Sequence, residues 1–505
     1  MKKYEELKFN FQNTDFLSEF LFVLYKYDNF VLTDNVIFDV AKTLIQKGLY
    51  QPTKHSEIVK EKWKNEIELT DKETETVFEE NPQSHKEAGF ERGWASRFDT
   101  WYKLGKELGF VYYWQNEKIE FSESGKMLLG KENPQNEQFV FVNAFAKFYR
   151  HNPFKRVLNQ NVPLVLLLET IQLLNQDKEF NNKGISKKEL PILLCWKNNN
   201  AQNLYVEIKN LRQKYAYTPS NEVILDICYS YLDETKRDDD SILTDYPDDF
   251  IRKMRLTGLI SVRGAGRFID INTKELNAVN YILVHYKKHL THSKEKDFFD
   301  YIGTIDNNLL AQLTTYKNPI KTTKKELQKW VDYFEWDILK HELLLLSKKG
   351  SSKNEILRII ENPLRLEFLT TLAILKKLPY TDVKPNFIAD DEGLPVSFAQ
   401  GGMADIECFE GKDTILVEVT LLTGTQQHIR ESFSVQRHLE DYLNKKIKAF
   451  SLFISPKVFV DTCRYAKFIA QDGFEIKILD IDLFVIQLEK YRTLQQVAYQ
   501  ASSCF

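Results

Sequence analysis

The sequence predicts a multidomain α+β protein: an N-terminal half of two helix-and-hairpin subdomains, a helical linker and a C-terminal α/β domain. Three observations predict it. At 505 residues the chain is longer than a single core usually supports. Two stretches, 92–130 and about 160–280, share one order of elements, a basic helix followed by a short hairpin, without repeating in sequence. From residue 362 the apolar pattern runs helix, hairpin, helix, strand, helix, strand, helix, the order of a sandwich around a mixed sheet. Boundaries are expected at 1–155, 156–284, 285–352 and 353–505, with Gly350-Ser351-Ser352 as the clearest break.

In the first unit, Arg92 to Gly109 reads as an amphipathic helix with Trp94, Phe98, Trp101, Leu104 and Leu108 on its inner stripe and Gly109 as its stop. Phe110–Trp114 and Lys118–Phe121 follow as short strands, and Ser122-Glu-Ser-Gly125 opens another helix. This is the order of a winged helix. Trp94 and Trp101 read as core, which leaves Arg92, Arg97, Lys103 and Lys106 for phosphates and base edges.

The second unit has a capped short helix over Gly184–Trp196, a longer one from Asn200 to Tyr215, and a helix Asp248–Gly258 that carries Arg252, Lys253 and Arg255. Leu259–Arg263, the turn Gly264-Ala265-Gly266 and Arg267–Asn272 form a hairpin with an arginine on each side of its tip. Arg263 and Arg267 can lie against a nucleic-acid backbone or enter a minor groove; the competing reading is a solvated loop. The linker from 285 is helical and rich in lysine, which solvation alone explains for the most part.

Composition bounds the rest. No run approaches 18 consecutive apolar residues, so no membrane span is expected, and Met1–Leu7 has no apolar signal segment, so the protein is expected in the cytoplasm. Cys195, Cys228, Cys408, Cys463 and Cys504 lack paired spacing, which argues against structural zinc and, in a reducing compartment, against disulfides. A net charge of −3 does not exclude nucleic acid, because acids gathered at one centre leave room for a basic face elsewhere.

The C-terminal domain opens with Asn362-Pro363, an N-cap and a first-turn proline, on an apolar helix interrupted by Glu367. A hairpin follows: a strand carrying Asp405, a turn Glu410–Asp413, and an apolar strand Thr414–Val419 carrying Glu418. Two carboxylates side by side on a sheet edge suit a magnesium ion; an acidic hairpin facing solvent is the plain alternative. After Gly424 a helix through Leu439 places Glu431 and His438, seven positions apart, on one face. Lys448–Pro456 and Phe474–Leu479 are buried strands, and Phe459–Gln471 and Leu483–Tyr491 are helices.

Asn362–Ala373, Ala399–Asp405, Val417–Thr420 and Glu431 to Leu439 together resemble the nuclease domain of the AlwI family of type IIS restriction and nicking endonucleases, a branch of the PD-(D/E)XK superfamily. Glu367, Asp405, Glu418, Glu431 and His438 follow at intervals of 38, 13, 13 and 7 residues, the ladder associated with that family. Where the superfamily has lysine two positions after the second acid, this chain has Thr420, which cannot act as a cationic base; Lys384, Lys412 and Arg430 are the nearby cations.

The resemblance implies a sequence-specific DNA endonuclease, restriction or nicking, that hydrolyses phosphodiester bonds a short distance outside an asymmetric site in double-stranded DNA. Asp405, Glu418 and the Val419 carbonyl would hold a first magnesium, Glu367 and Glu431 a second ion or a water, and His438 would orient or carry a proton. Arg92, Arg97, Lys103, Arg252, Arg255, Arg263 and Arg267 are the expected DNA contacts. One chain has one acid cluster and a duplex has two scissile phosphates, so double-strand cleavage calls for a second nuclease domain by transient pairing or a small partner subunit. The alternative is a DNA-binding regulator with an inactive nuclease-like domain, against which stands the cost of clustering acids without a cation. No RNA-binding signature supports an RNA nuclease.

Overall fold

A computed structural model describes residues 14–130, 135–155, 159–180, 183–232, 239–288, 290–314, 324–399 and 401–499; Met1–Leu7, Cys504 and, within Ala399–Asp405, Gln400 lie outside them. The first unit begins with four helices, Thr14–Tyr25, Asp34–Gln46, Glu57–Lys64 and Asp71–Glu80, the second to fourth each opened by a Thr or Ser side chain that accepts a first-turn N–H. The first two pack on the helix Trp94–Glu107, whose Trp94, Phe98 and Trp101 are buried as the apolar stripe requires, and Trp94 stacks on Phe78 of the fourth at 4.6 Å. Gly109 follows the C-cap in the left-handed region at φ +74°, and Val111–Tyr112 pairs antiparallel with Glu120–Phe121.

In the second unit the hairpin Ile260–Arg263 and Phe268–Ile271 forms as expected. Ile185–Ser186, expected at the start of a helix, instead pairs with Phe268–Ile271 as a third strand, and the helix starts only at Leu190. Glu189 explains the difference. It closes the turn by accepting the Ser186 N–H at 2.8 Å and forms a buried pair with Arg212 at 2.7 Å.

The segment expected as a connecting linker is divided between the two halves. Asn143 Nδ2 donates to the carbonyls of Ile302 and Thr304 at 3.2 and 3.1 Å, which ties 295–304 to the first unit. Lys324–Tyr333 and Trp336–Ser347 belong with the C-terminal domain: the Trp336 indole and Lys340 both reach Glu489 at 2.8 Å, and Lys376 Nζ donates to the carbonyls of Val331 and Phe334. The boundary expected at Gly350 therefore cuts off helices that complete the C-terminal core.

That core is a five-stranded mixed sheet in the order Ile476–Asp480, Ala449–Ser455, Asp413–Val419, Ile406–Glu410, Asp382–Pro385. The first three strands run parallel and the last two join antiparallel. Period-two alternation sends Ile415 and Val417 to the face covered by Asn362–Lys377 and Ile481–Lys490, and Leu416 to the face covered by Gly424–Asn444. Gly411 holds the tight turn between Glu410 and Asp413 at φ +62°. Glu361, not Asn362, caps the Glu367 helix, and the Asn362 side chain accepts from Arg365 instead. Among the described residues no helix is long and apolar enough to cross a membrane. Cys195, Cys228 and Cys408 are buried thiols outside any disulfide, whereas Cys463 is disulfide-bonded, contrary to the expectation from compartment and spacing.

Candidate active site

The five expected residues come from four elements and meet at one end of the sheet. Asp405 immediately precedes its strand, and in the hairpin register Val417 faces Ile406, so Glu418 and Asp405 fall side by side. The Val419 N–H donates to Asp405 Oδ2 at 2.8 Å, which fixes that carboxyl across the hairpin. Glu418 points with Leu416 toward the helix Gly424–Asn444 and meets His438, whose Nδ1 lies 2.8 Å from Glu418 Oε1. One face of that helix also brings in Glu431, which accepts from Thr420 Oγ1 at 3.1 Å. Glu367 reaches the group from the helix covering the other face; it is 4% exposed, and its Oε2 is buried without a hydrogen-bond partner.

Electrostatically the group is frustrated. Glu367 is held well above the ordinary glutamate range, first by burial and then by the charges of Asp405 and Glu418. Asp405 is raised by burial and by Glu418 and Glu431, partly offset by the Val419 N–H; Glu418 is raised by burial and by Glu431. Glu431 is raised by burial, against the bond from Thr420. Burial lowers His438 despite the acids around it. Among the described residues no three such side chains already stand as a ligand cage. The donor set nevertheless fits a hard divalent cation, because it is all oxygen, mutually repelling and includes one buried oxygen with no donor.

None of the nearby cations fills the place of the missing lysine. Lys384 is bound to Glu407 at 2.6 Å, Arg430 to Glu19 at 3.0 Å, and Lys412 sits in the hairpin turn. Thr420 acts on Glu431 by a hydrogen bond, a link that the two positions' separation of 11 does not reveal. Asn386 also escaped sequence reasoning: its N–H donates to the Asp405 carbonyl at 2.9 Å and its Nδ2 to the Ala404 carbonyl at 2.9 Å. A cavity of about 400 Å³ lies where the halves meet, lined by Leu104, Phe141, Arg252, Lys253, Arg358 and Arg365, and contains none of the five residues.

The expected DNA-facing cations divide into two groups. Arg92 and Arg267 are exposed and hold only backbone carbonyls, of Ser84 and Gly264. Arg97 reaches Gln83 and lies over the Tyr50 ring, Lys103 is 3.7 Å from Glu87, and Arg252 is 3.8 Å from Asp249. Arg255 and Arg263 require correction. Arg255 is 4% exposed and bound to Asp390 at 3.0 Å and the Pro395 carbonyl at 2.8 Å. Arg263 is held by Asp270, Asp391 and Glu392. Lys106 is likewise buried, paired with Asp99 at 2.8 Å and 4.0 Å from the centre of the Trp114 ring.

The family model described as AlwI restriction endonuclease matches residues 106–335 and 316–494. No curated protein shows significant similarity to the chain. Among solved structures, the small subunit (R.BspD6I2) of the heterodimeric restriction endonuclease R.BspD6I is 27% identical over 30% of this chain and 77% of that one, with a TM-score of 0.26.

Proposed function

Because the chain belongs to the AlwI restriction endonuclease family, we propose that it is a magnesium-dependent type IIS enzyme that binds an asymmetric DNA site with its N-terminal half and cuts a short distance outside it. The observation that carries this reading is the convergence of four carboxyls, each raised above its ordinary range, and an imidazole at one sheet end. An inactive domain has no physical need for such a cluster.

Asp405, Glu418 and the Val419 carbonyl would hold one magnesium, and Glu367 and Glu431 a second ion or the attacking water. Magnesium bound there supplies charge to the scissile phosphate and makes water a better nucleophile at neutral pH. The chain's own groups do the remainder. The Val419 N–H orients Asp405, Thr420 orients Glu431, and His438 Nδ1 holds Glu418. Were Glu418 ionised by a bound cation, Nδ1 would donate to it, and Nε2 would be the ring's acceptor for a proton. We read the two N-terminal units as winged-helix-like, with Arg92, Arg97, Lys103, Arg252 and Arg267 toward phosphate. Cutting of both strands would require a second nuclease domain, from another copy or a small partner.

The test is incubation of the purified protein with plasmid DNA, with magnesium and with EDTA, followed by sequencing of the ends. Magnesium-dependent ends at a fixed offset from one asymmetric sequence are expected. Cutting that persists in EDTA, or ends without a shared sequence, would refute the reading.

A further inference from the structure

Asp390, Asp391 and Glu392 form the tip of a small hairpin between the strands Ile388–Ala389 and Pro395–Ser397. This tip belongs to the cleavage domain, yet four of its six carboxyl oxygens are bound by the second recognition unit. Asp390 is fully buried; its Oδ2 accepts from Arg255 at 3.0 Å while its Oδ1 accepts the Glu392 and Leu394 N–H groups. Asp391 Oδ2 accepts from Arg263 at 2.6 Å and from both the N–H and hydroxyl of Thr273, and its Oδ1 from Ser261. Lys274 Nζ donates to the Asp390 carbonyl at 2.9 Å. From the other side, the Trp330 indole donates to the Glu392 carbonyl at 2.7 Å, and Lys329 pairs with the Glu392 carboxylate.

Two features separate this contact from ordinary domain packing. Charged groups that have lost their water contribute little net strength compared with apolar surface of the same shape, but they accept one register only. An interface so rich in buried ion pairs is therefore poor at strength and good at alignment. Second, the hairpin leads straight to the acids. Asn386, four residues before Asp390, bonds through its N–H to the Asp405 carbonyl and through its side chain to that of Ala404, and the adjoining strand Asp382–Pro385 pairs with Ile406–Glu410. Hydrogen bonds from Arg255 and Arg263 hold the tip, and four residues of chain join Asp390 to Asn386, which bonds to the Asp405 carbonyl.

We propose that Asp390, Asp391 and Glu392 are positioning residues that set the distance between the recognised sequence and the scissile phosphate. They touch no substrate and act by holding the cleavage domain in one register on the second recognition unit. The inference rests on the proposed cutting outside an asymmetric site.

The test maps nick positions by end sequencing for the full-length protein and for the double variant Asp391→Asn, Glu392→Gln, with specific DNA binding and melting temperature measured alongside. The wild type should nick at one dominant position. In the double variant the share of nicks at neighbouring positions should rise about tenfold, with total nicking retained, because loosening a charged hydrogen-bond set admits displaced registers at that order of cost. Glu392→Gln alone, which removes charge only at the partly exposed edge of the tip, should give a smaller spread and serves if the double variant does not fold. A folded variant whose nicks stay as sharply placed as the wild type's overturns the proposal. Scattered wild-type ends overturn the underlying reading, and the proposal with it; a sharp wild-type offset upholds that reading whatever the variants do.

Discussion

Glu367→Gln isolates the charge of one buried carboxyl while keeping its shape. Glu367 is 4% exposed, has an oxygen without a partner, and is raised well above its usual value of 4.5 by burial and by Asp405 and Glu418. The sign follows from proton linkage. Below the ordinary glutamate range the group is neutral in both the folded and the unfolded chain, and the substitution changes little. As pH rises above that range the unfolded chain releases its proton and the folded chain retains it, so wild-type stability is lost until the folded value is reached. The variant does not share this loss. Each pH unit in the window is worth up to about 1.4 kcal/mol, so about 2–3 kcal/mol accumulates between roughly pH 5 and pH 7 if one acid carries the whole effect. At roughly 2–4 °C per kcal/mol for a domain of this size, the metal-free variant should melt about 5–10 °C above wild type near pH 7 and close to it near pH 4.5. Differential scanning fluorimetry in EDTA across that range measures the gap. Magnesium should narrow it, because cation binding stabilises only the chain that retains its ligands. A variant less stable than wild type at neutral pH, or a gap independent of pH, would refute the electrostatic account.

Arg267→Ala should lower the slope of log K against log salt by about 0.9 if this exposed side chain contacts phosphate, as fluorescence anisotropy over a salt series would show. Arg263→Ala should leave that slope nearly unchanged and lower the melting temperature instead, since its guanidinium is engaged by Asp270, Asp391 and Glu392; a slope change equal to that of Arg267→Ala would return Arg263 to the DNA face. One acid cluster per chain predicts that nicked plasmid precedes linear and that the linear share grows with enzyme concentration at fixed DNA. Linear product in constant proportion, at enzyme well below DNA, would instead indicate a stable preassembled pair.

The acids were legible because local patterns place them. Alternation along Thr414–Val419 puts Glu418 on a defined face, and the seven-residue step from Glu431 to His438 keeps both on one helix face. The strand Asp382–Pro385 was missed: it is short, lies at the sheet edge and ends in proline, which is tolerated only there. Arg255 and Arg263 were misplaced on DNA because their partners Asp390, Asp391 and Glu392 lie more than a hundred positions away, and no local rule joins them. Lys106 carried a usable signal that was overlooked. Asp99 stands seven residues before it on the same helix, a spacing that puts the two on one face.

The most direct measurement of the central claim is plasmid nicking by Asp405→Ala and Glu418→Ala in magnesium, with binding to the recognised sequence measured in parallel. Loss of a metal-holding carboxylate should cost more than the roughly 10–100-fold seen when only a ligand's supporting partner is removed. The account predicts nicking reduced by at least about a hundredfold in both variants, with specific DNA binding preserved because its contacts lie in the N-terminal half. Nicking at wild-type rates by either variant would contradict it.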